Sequence, residues 1–332
     1  MDNSIEREAM FYEKLDNQQV RCLLCPHCCL LKVGETGICR GRKNIERKLI
    51  AINYGRTMGI SLDPIEKKPL YHFRPGSQIV SLGPNSCNLS CFFCQNYDSS
   101  QMPCPTAYIN PEQLYNLVLE HSYQGYKQVA FTYTEPFTWY EYIYDFAKLA
   151  RDTDIVMVTN GYINPAPLKE LMPYIRAMNI DLKSIRNEFY VKHCNGGLET
   201  VKQTIKNAFN AGIHIELTNL LIPTLNDAEE DIQALIDFVS SISVDIPLHF
   251  SAYYPAYKSN IPPTSSRIVL KACQMAKEKL SYVYAGNIWS NEFRETHCPQ
   301  CDNLVISAHR RIVGIDDKGQ CRNCSYRIYG VF

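Results

Sequence analysis

Fifteen cysteines in 332 residues constrain this chain more than any other feature. They are clustered: Cys22, Cys25, Cys28, Cys29 and Cys39 near the start, Cys87, Cys91 and Cys94 in the middle, Cys298, Cys301, Cys321 and Cys324 at the end. An oxidised secreted protein could pair that many in disulfides. The opening Met1-Asp2-Asn3-Ser4-Ile5-Glu6, however, lacks the basic and apolar regions of a signal peptide. Clustered thiols then point to metal or redox chemistry in a reducing compartment, and a soluble, cytoplasmic protein is expected. No stretch approaches the roughly 18 apolar residues of a membrane span. The 34 basic residues balance 34 acidic ones, which argues against a broad nucleic-acid-binding face.

Each cluster has its own spacing. Cys298-x2-Cys301 and Cys321-x2-Cys324, separated by 19 residues, have the zinc-ribbon pattern of two tight knuckles brought together by the loop between them. A rubredoxin-like iron fits the same four thiolates. At the N-terminus, Cys22, Cys25, Cys29 and Cys39 make a plausible quartet for structural zinc or a second iron–sulfur cluster, leaving Cys28 and His27 spare. The central Cys87-x3-Cys91-x2-Cys94 has three thiols and no neighbouring fourth except Cys104. A closed zinc site needs four ligands; three on one short loop suit a 4Fe-4S cluster with an iron left open for a substrate or cofactor. Cys104, Cys194 and Cys273 read as small buried hydrophobes.

The surrounding chain alternates apolar runs with helical stripes. Strands are expected at 78–83, 128–133, 155–159, 178–182, 213–221, 247–251 and 282–284. Helices are expected from Asn110, over 137–151, after Pro165, over 198–209 up to Gly212, from an Asn226–Asp227 cap, and over 265–280. Such repeats argue for an α/β fold with a parallel sheet, an incomplete parallel (β/α)6 barrel whose functional groups lie on loops after the strands. The expected division is a Cys-rich segment over 1–75, the barrel over 76–290 and a zinc-ribbon-like segment over 291–332. Polar residues recur at the strand ends: Glu135, Asn160, Asp181, Lys183, Glu216, Asn219 and His249. Their convergence on one mouth indicates a site. Asp63, Glu66, Lys67 and Lys68 read as a solvated loop before the first strand.

The Cys-Asn-Leu-Ser-Cys-Phe-Phe-Cys-Gln-Asn run over 87–96 resembles the cluster loop of the radical S-adenosylmethionine (SAM) superfamily. Further motifs run along nearly the whole chain: Cys22 to Cys29 with Gly37-Ile-Cys39, Asp63 to Phe73, Asp181-Leu-Lys183, Ile222 to Asp227, Ala285-Gly-Asn287 and the terminal Cys pairs. With these the chain is similar to the AmmeMemoRadiSam-system radical SAM proteins, relatives of the pyruvate formate-lyase activating enzymes. The resemblance implies that Cys87, Cys91 and Cys94 hold a 4Fe-4S cluster and that SAM chelates its open iron. One electron then releases a 5′-deoxyadenosyl radical that takes hydrogen from a substrate. It also implies that Glu135, in Tyr133-Thr134-Glu135-Pro136 where the family has Gly-Gly-Glu, takes the SAM ammonium. Asp181 and Lys183 would bind ribose and carboxylate, His249 the adenosyl side, and Asn160 belongs to the Thr-Asn-Gly segment, with Val158 where an acid often precedes it. An electron donor such as flavodoxin or ferredoxin, a small-molecule or protein substrate, and a pathway shared with Memo-like proteins follow from the same resemblance.

Two other readings compete. In one, all three Cys groups bind zinc and the α/β domain is a binding module for a protein or RNA. The locally basic Arg310, Arg311, Lys318, Arg322 and Arg327 support that module; in the other reading, a radical SAM enzyme modifies RNA and uses the C-terminal ribbon as its grip.

Overall fold

A computed structural model describes residues 6–122 and 124–332. Its main sheet contains β1 (Ile60–Pro64), β2 (Gln78–Leu82), β3 (Gln128–Phe131), β4 (Asp154–Thr159), β5 (Ile175–Asp181), β6 (His214–Leu221), β7 (Leu248–Ala252) and β8 (Val283–Gly286), paired in sequence order. β1 runs antiparallel to β2; every later neighbour is parallel. A parallel pair needs a crossover. Helices supply it: α1 (Pro111–Glu120), α2 (Tyr140–Leu149), α3 (Pro165–Leu171), α4 (Leu198–Asn210), α5 (Glu229–Ile242) and α6 (Ser266–Lys277). β1 and β8 stay at the two edges, so the six strand–helix units and the last strand form an incomplete parallel (β/α)6 barrel.

The sequence explains these elements directly. Strands buried on both faces read as unbroken apolar runs, and every residue of β3, Gln-Val-Ala-Phe, is buried. The side chain of Asn110 accepts from the Gln113 N–H at 2.7 Å and Gln113 returns an acceptor to the Asn110 N–H at 2.9 Å, a capping box that starts α1 with Pro111 in its first turn. Leu198, Val201, Ile205 and Ala208 bury one face of α4, and Gly212, at φ +76°, accepts the left-handed turn that ends it. Asn226 and Asp227 act differently from the expected cap. Their side chains accept from the Ile222 and Thr224 N–H groups, shaping the loop after β6, and α5 starts at Glu229.

β1 lies within the span 1–75 and joins the barrel sheet. It carries no alternation to betray it, since only Asp63 among its residues is buried. The solvated-loop expectation for this region fails at two positions. Asp63 and Lys68 are buried and paired at 2.8 Å, and the Tyr133 hydroxyl donates to Asp63 at 2.7 Å. Lys67, also paired with Asp63, is largely exposed, as expected. Charges default to solvent unless a partner awaits them; here the pair fastens the loop after β3 to β1.

The N-terminal segment forms a small antiparallel sheet of Tyr12–Lys14, Val20–Cys22 and Leu30–Leu31, followed by a hairpin of Arg42–Ile45 and Lys48–Ala51. Arg42 and Glu141, each 1% exposed, pair at 2.7 Å and fix this segment to α2. The last residues pack Val305, Ile306, Ile315 and Ile328 on Tyr282, just before the final barrel strand, and on Tyr284 within it. No helix among the described residues is long and apolar enough to cross a membrane.

Candidate functional site

The loop after β2 carries Cys87, Cys91 and Cys94 to the barrel mouth. Gly83 makes this possible, because a Cβ there would stand 2.1 Å from the Thr132 carbonyl oxygen at the end of β3. Two main-chain bonds pin the loop: Ser90 N–H to Cys194 O at 2.9 Å and Phe92 N–H to His193 O at 3.3 Å. The thiols have polar company. Cys94 Sγ lies 3.1 Å from Ser100 Oγ, the Leu89 N–H donates to Cys87 Sγ at 3.4 Å, and Asn160 Nδ2 reaches Cys87 Sγ at 3.8 Å. Burial raises the Cys87 thiol well above its ordinary pKa, with the Glu135 carboxyl adding to the effect. A metal centre there must offset that cost and expel the proton.

Glu135 is also buried, and burial lifts its carboxyl to about 7 against the hydrogen bonds it accepts. Oε1 accepts from the Phe137 N–H at 3.0 Å and the Thr159 hydroxyl at 2.7 Å; Oε2 accepts from the Asn160 N–H at 2.7 Å. Oε2 keeps capacity for one more donor. Asp181 and Lys183 pair at 2.7 Å, and Asp181 remains 38% exposed, open to a ligand. The Lys183 charge also acts on Cys91. The structure therefore gathers Cys87, Cys91, Cys94, Glu135, Asn160, Asp181 and Lys183 at one mouth.

His249 belongs to a different network. Glu216 accepts from His249 Nε2 at 2.7 Å, from His214 Nε2 at 3.0 Å and from the His72 N–H at 2.7 Å. Burial pushes the Glu216 carboxyl up, but the bonds from His214 and His249 prevail and hold it well below the carboxylate range. His72 continues the network to the Tyr329 carbonyl and the Tyr284 hydroxyl, both at 2.6 Å, and Arg310 stacks 3.4 Å over Tyr71. These groups join the strands to the segment before β2 and to the chain's last residues.

Sequence reasoning missed Cys194. It is a fully buried side chain, as expected of a core filler, yet its thiol acts on that of Cys91. That neighbour is the chief reason the Cys91 thiol sits below its ordinary pKa, against burial acting the other way. No local spacing announces a residue so distant along the chain; a five-residue π turn, Tyr190–Cys194, delivers it.

The terminal thiols are arranged differently. Cys298, Cys301, Cys321 and Cys324 have sulfurs all within 4.8 Å of one another, with Cys298–Cys324 at 3.5 Å and Cys301–Cys321 at 3.7 Å. A single tetrahedral ion with bonds of about 2.3 Å holds its sulfurs about 3.8 Å apart, so the quartet fits one ion. Among the described residues no other group of three thiols is so close. Cys22, Cys25, Cys29 and Cys39 line one pocket, with burial raising Cys22 to about 11 and Cys25 to about 12; Cys28 is exposed.

Comparison with known proteins agrees with this geometry. Residues 83–239 match the Radical SAM superfamily. An uncharacterized protein of Methanocaldococcus jannaschii is 42% identical over 97% of this chain and 98% of its own. A pyruvate formate-lyase-activating enzyme of Clostridium pasteurianum is 24% identical over 47% of this chain and 67% of its own. A probable GTP 3′,8-cyclase of Methanosarcina acetivorans is 29% identical over 56% and 58% of the two chains. Among solved structures, a radical SAM methyltransferase from Sphaerobacter thermophilus shares the fold, with a TM-score of 0.52 at 11% identity over 85% of this chain and 78% of that one. With the matched region beginning where the thiol-bearing loop leaves the first parallel strand, the chain belongs to the radical SAM superfamily.

Proposed function

We propose that this chain is an enzyme that binds a 4Fe-4S cluster through Cys87, Cys91 and Cys94, binds SAM beside it, and takes hydrogen from a substrate through a 5′-deoxyadenosyl radical. One observation carries the reading: three thiols stand together on the mouth loop without the close approach a single ion requires. Once bound, the cluster and SAM would supply the chemistry, a one-electron cleavage of the sulfonium S–C5′ bond.

The protein's share is binding and positioning. Oε2 of Glu135 has the free acceptor capacity to take the SAM ammonium, and its three internal donors hold it in place. Lys183 offers a cation for the carboxylate, and the partly open Asp181 accepts from ribose hydroxyls. Asn160 Nδ2 donates to Cys87 Sγ and to Asn88 Oδ1, orienting the loop. His249 would face the adenosyl side only by way of Nδ1, because Nε2 is held by Glu216. An electron donor of the flavodoxin or ferredoxin kind delivers the electron, and the substrate is a small molecule or a partner protein. The C-terminal quartet, spaced for one ion, holds structural zinc and closes residues 291–332 as a separate knuckle after the 76–290 barrel.

The zinc-stapled binding module needs three closed thiol sites, and only the C-terminal set has that spacing among the described residues. The test is anaerobic reconstitution of wild type and the Cys87/Cys91/Cys94→Ala variant, dithionite reduction with SAM, and measurement of 5′-deoxyadenosine. Wild type should form it and the variant should fall to the protein-free background. Equal formation by both, or none by a wild type carrying only zinc, overturns the proposal.

A further inference from the structure

The N-terminal thiols form a site of their own. Cys22 ends the strand Val20–Cys22, and its N–H donates to the Cys29 carbonyl at 3.0 Å; the Cys28 N–H closes a turn on Cys25 O at 3.1 Å. Cys39 sits in the turn made by Arg40 N–H to Gly37 O at 2.8 Å. These three turns aim Cys22, Cys25, Cys29 and Cys39 into one pocket whose other walls include Leu24, Leu31 and Ile38. The turn at Cys25 leaves Cys28 outside, at φ +45° and exposed.

Two independent observations say what the pocket holds. The first is spacing. The C-terminal quartet shows what a one-ion site looks like in this molecule, with its sulfurs within 4.8 Å of one another. No three sulfurs of the N-terminal set meet that spacing, nor do Cys87, Cys91 and Cys94. Four thiols that converge on one apolar pocket yet stand too far apart for one ion match a polynuclear centre, whose irons lie between the sulfurs. The second is Arg42. It is 1% exposed and lines the same pocket, and only its Nη2 is used, on Glu141 at 2.7 Å and 3.0 Å. Its Nε and Nη1 are buried without a hydrogen-bond partner. Orphaned donors on a buried cation are costly, and an anion in the pocket would relieve them. An iron–sulfur cluster with four thiolates carries net negative charge and exposes sulfur acceptors.

We infer that Cys22, Cys25, Cys29 and Cys39 hold a second, fully cysteine-ligated 4Fe-4S cluster, with Arg42 as its buried counter-charge and hydrogen-bond donor. It adjoins the mouth. Asn88, between Cys87 and Cys91, lines the same pocket and accepts from Asn160 at 2.9 Å; its carbonyl meets His27 Nε2 at 2.7 Å. Asn160 in turn reaches Cys87. One asparagine thus links the two thiol sets.

This inference builds on the cluster reading of Cys87, Cys91 and Cys94, and the experiment separates the two. Wild type, the Cys87/Cys91/Cys94→Ala variant and the Cys22/Cys25/Cys29/Cys39→Ser variant are reconstituted anaerobically and their iron, sulfide and zinc counted. Wild type should carry about eight irons and the Cys87/Cys91/Cys94→Ala variant about four, with a reduced-cluster electron paramagnetic resonance signal insensitive to SAM. That variant leaves the N-terminal segment untouched, so the result stands even if the Ser variant fails to fold. Arg42→Leu, made in the same background, should keep the iron and shift the midpoint potential of the signal. A Cys87/Cys91/Cys94→Ala variant with no iron overturns the inference and leaves the mouth reading intact, and a second zinc in that protein would identify the pocket's metal. A wild type with about four irons, all retained in that variant, overturns the mouth reading instead.

Discussion

The two ends of the barrel use the same residue types to opposite purposes. Around Glu216 the polar groups hold one another: its carboxylate takes three donors, His72 takes the Tyr284 hydroxyl, and that hydroxyl meets Thr296 Oγ1 at 2.6 Å. Beyond it four thiols have closed to the spacing of one ion. At the mouth, by contrast, the three thiols lack that closure, Glu135 keeps spare acceptor capacity and Asp181 is partly open. What separates a fastening from a site is saturation. Where neighbours use up the hydrogen-bonding capacity, a histidine or carboxylate holds strands together; where they leave some over, it can hold a ligand.

Four changes can break this contrast. The largest effect is expected for Glu216→Leu, which strands the donors of His214, His249 and His72 and should cost about 4 kcal/mol of stability by denaturant unfolding. Iron loading at the mouth should survive in the fraction that folds; a stable variant would show that the network is not a fastening.

Acid should act on the same end. Burial holds His72 down to about 4 from an ordinary 6.5, so the unfolded chain binds the extra proton first. The stabilising contribution is therefore complete above pH 6.5 and is lost as pH falls towards 4, about 3 kcal/mol over that window. His72→Gln should flatten this part of the stability-against-pH curve, and an unchanged slope would contradict the assignment.

Cys301→Ser should release the C-terminal metal and lower stability by about 2 kcal/mol, while 5′-deoxyadenosine formation persists. Loss of that activity in a folded, iron-loaded variant would mean the terminal knuckle serves the mouth. The smallest structural effect belongs to Cys194→Val, a near-isosteric change that removes the thiol acting on Cys91. Iron content and melting should barely change, but the midpoint potential of the mouth cluster should shift, since the polar surroundings of the ligand sulfurs tune it. An identical potential would return Cys194 to a packing role.

Much of this was legible in the sequence for identifiable reasons. All seven parallel strands were readable because burial on both faces writes unbroken apolar runs, as in Val129-Ala130-Phe131. The mouth thiols and the C-terminal quartet were readable because thiols close in sequence are bound to be close in space. The antiparallel β1 was hidden by its exposed residues, and the Asp63–Lys68–Tyr133 lock by the fact that charge alone says nothing of a buried partner. Cys194 and the partners of Glu216 meet only through tertiary structure, so no local pattern could reveal them. His249 was legible as a polar strand residue, but its allegiance to Glu216 was not.

The most direct test of the central claim is the electron paramagnetic resonance of the reduced mouth cluster in protein bound to SAM labelled with a magnetic isotope in its carboxylate. The account predicts a hyperfine coupling from the label to the cluster, lost in Cys87/Cys91/Cys94→Ala. A reduced cluster whose spectrum ignores SAM, labelled or not, would contradict it.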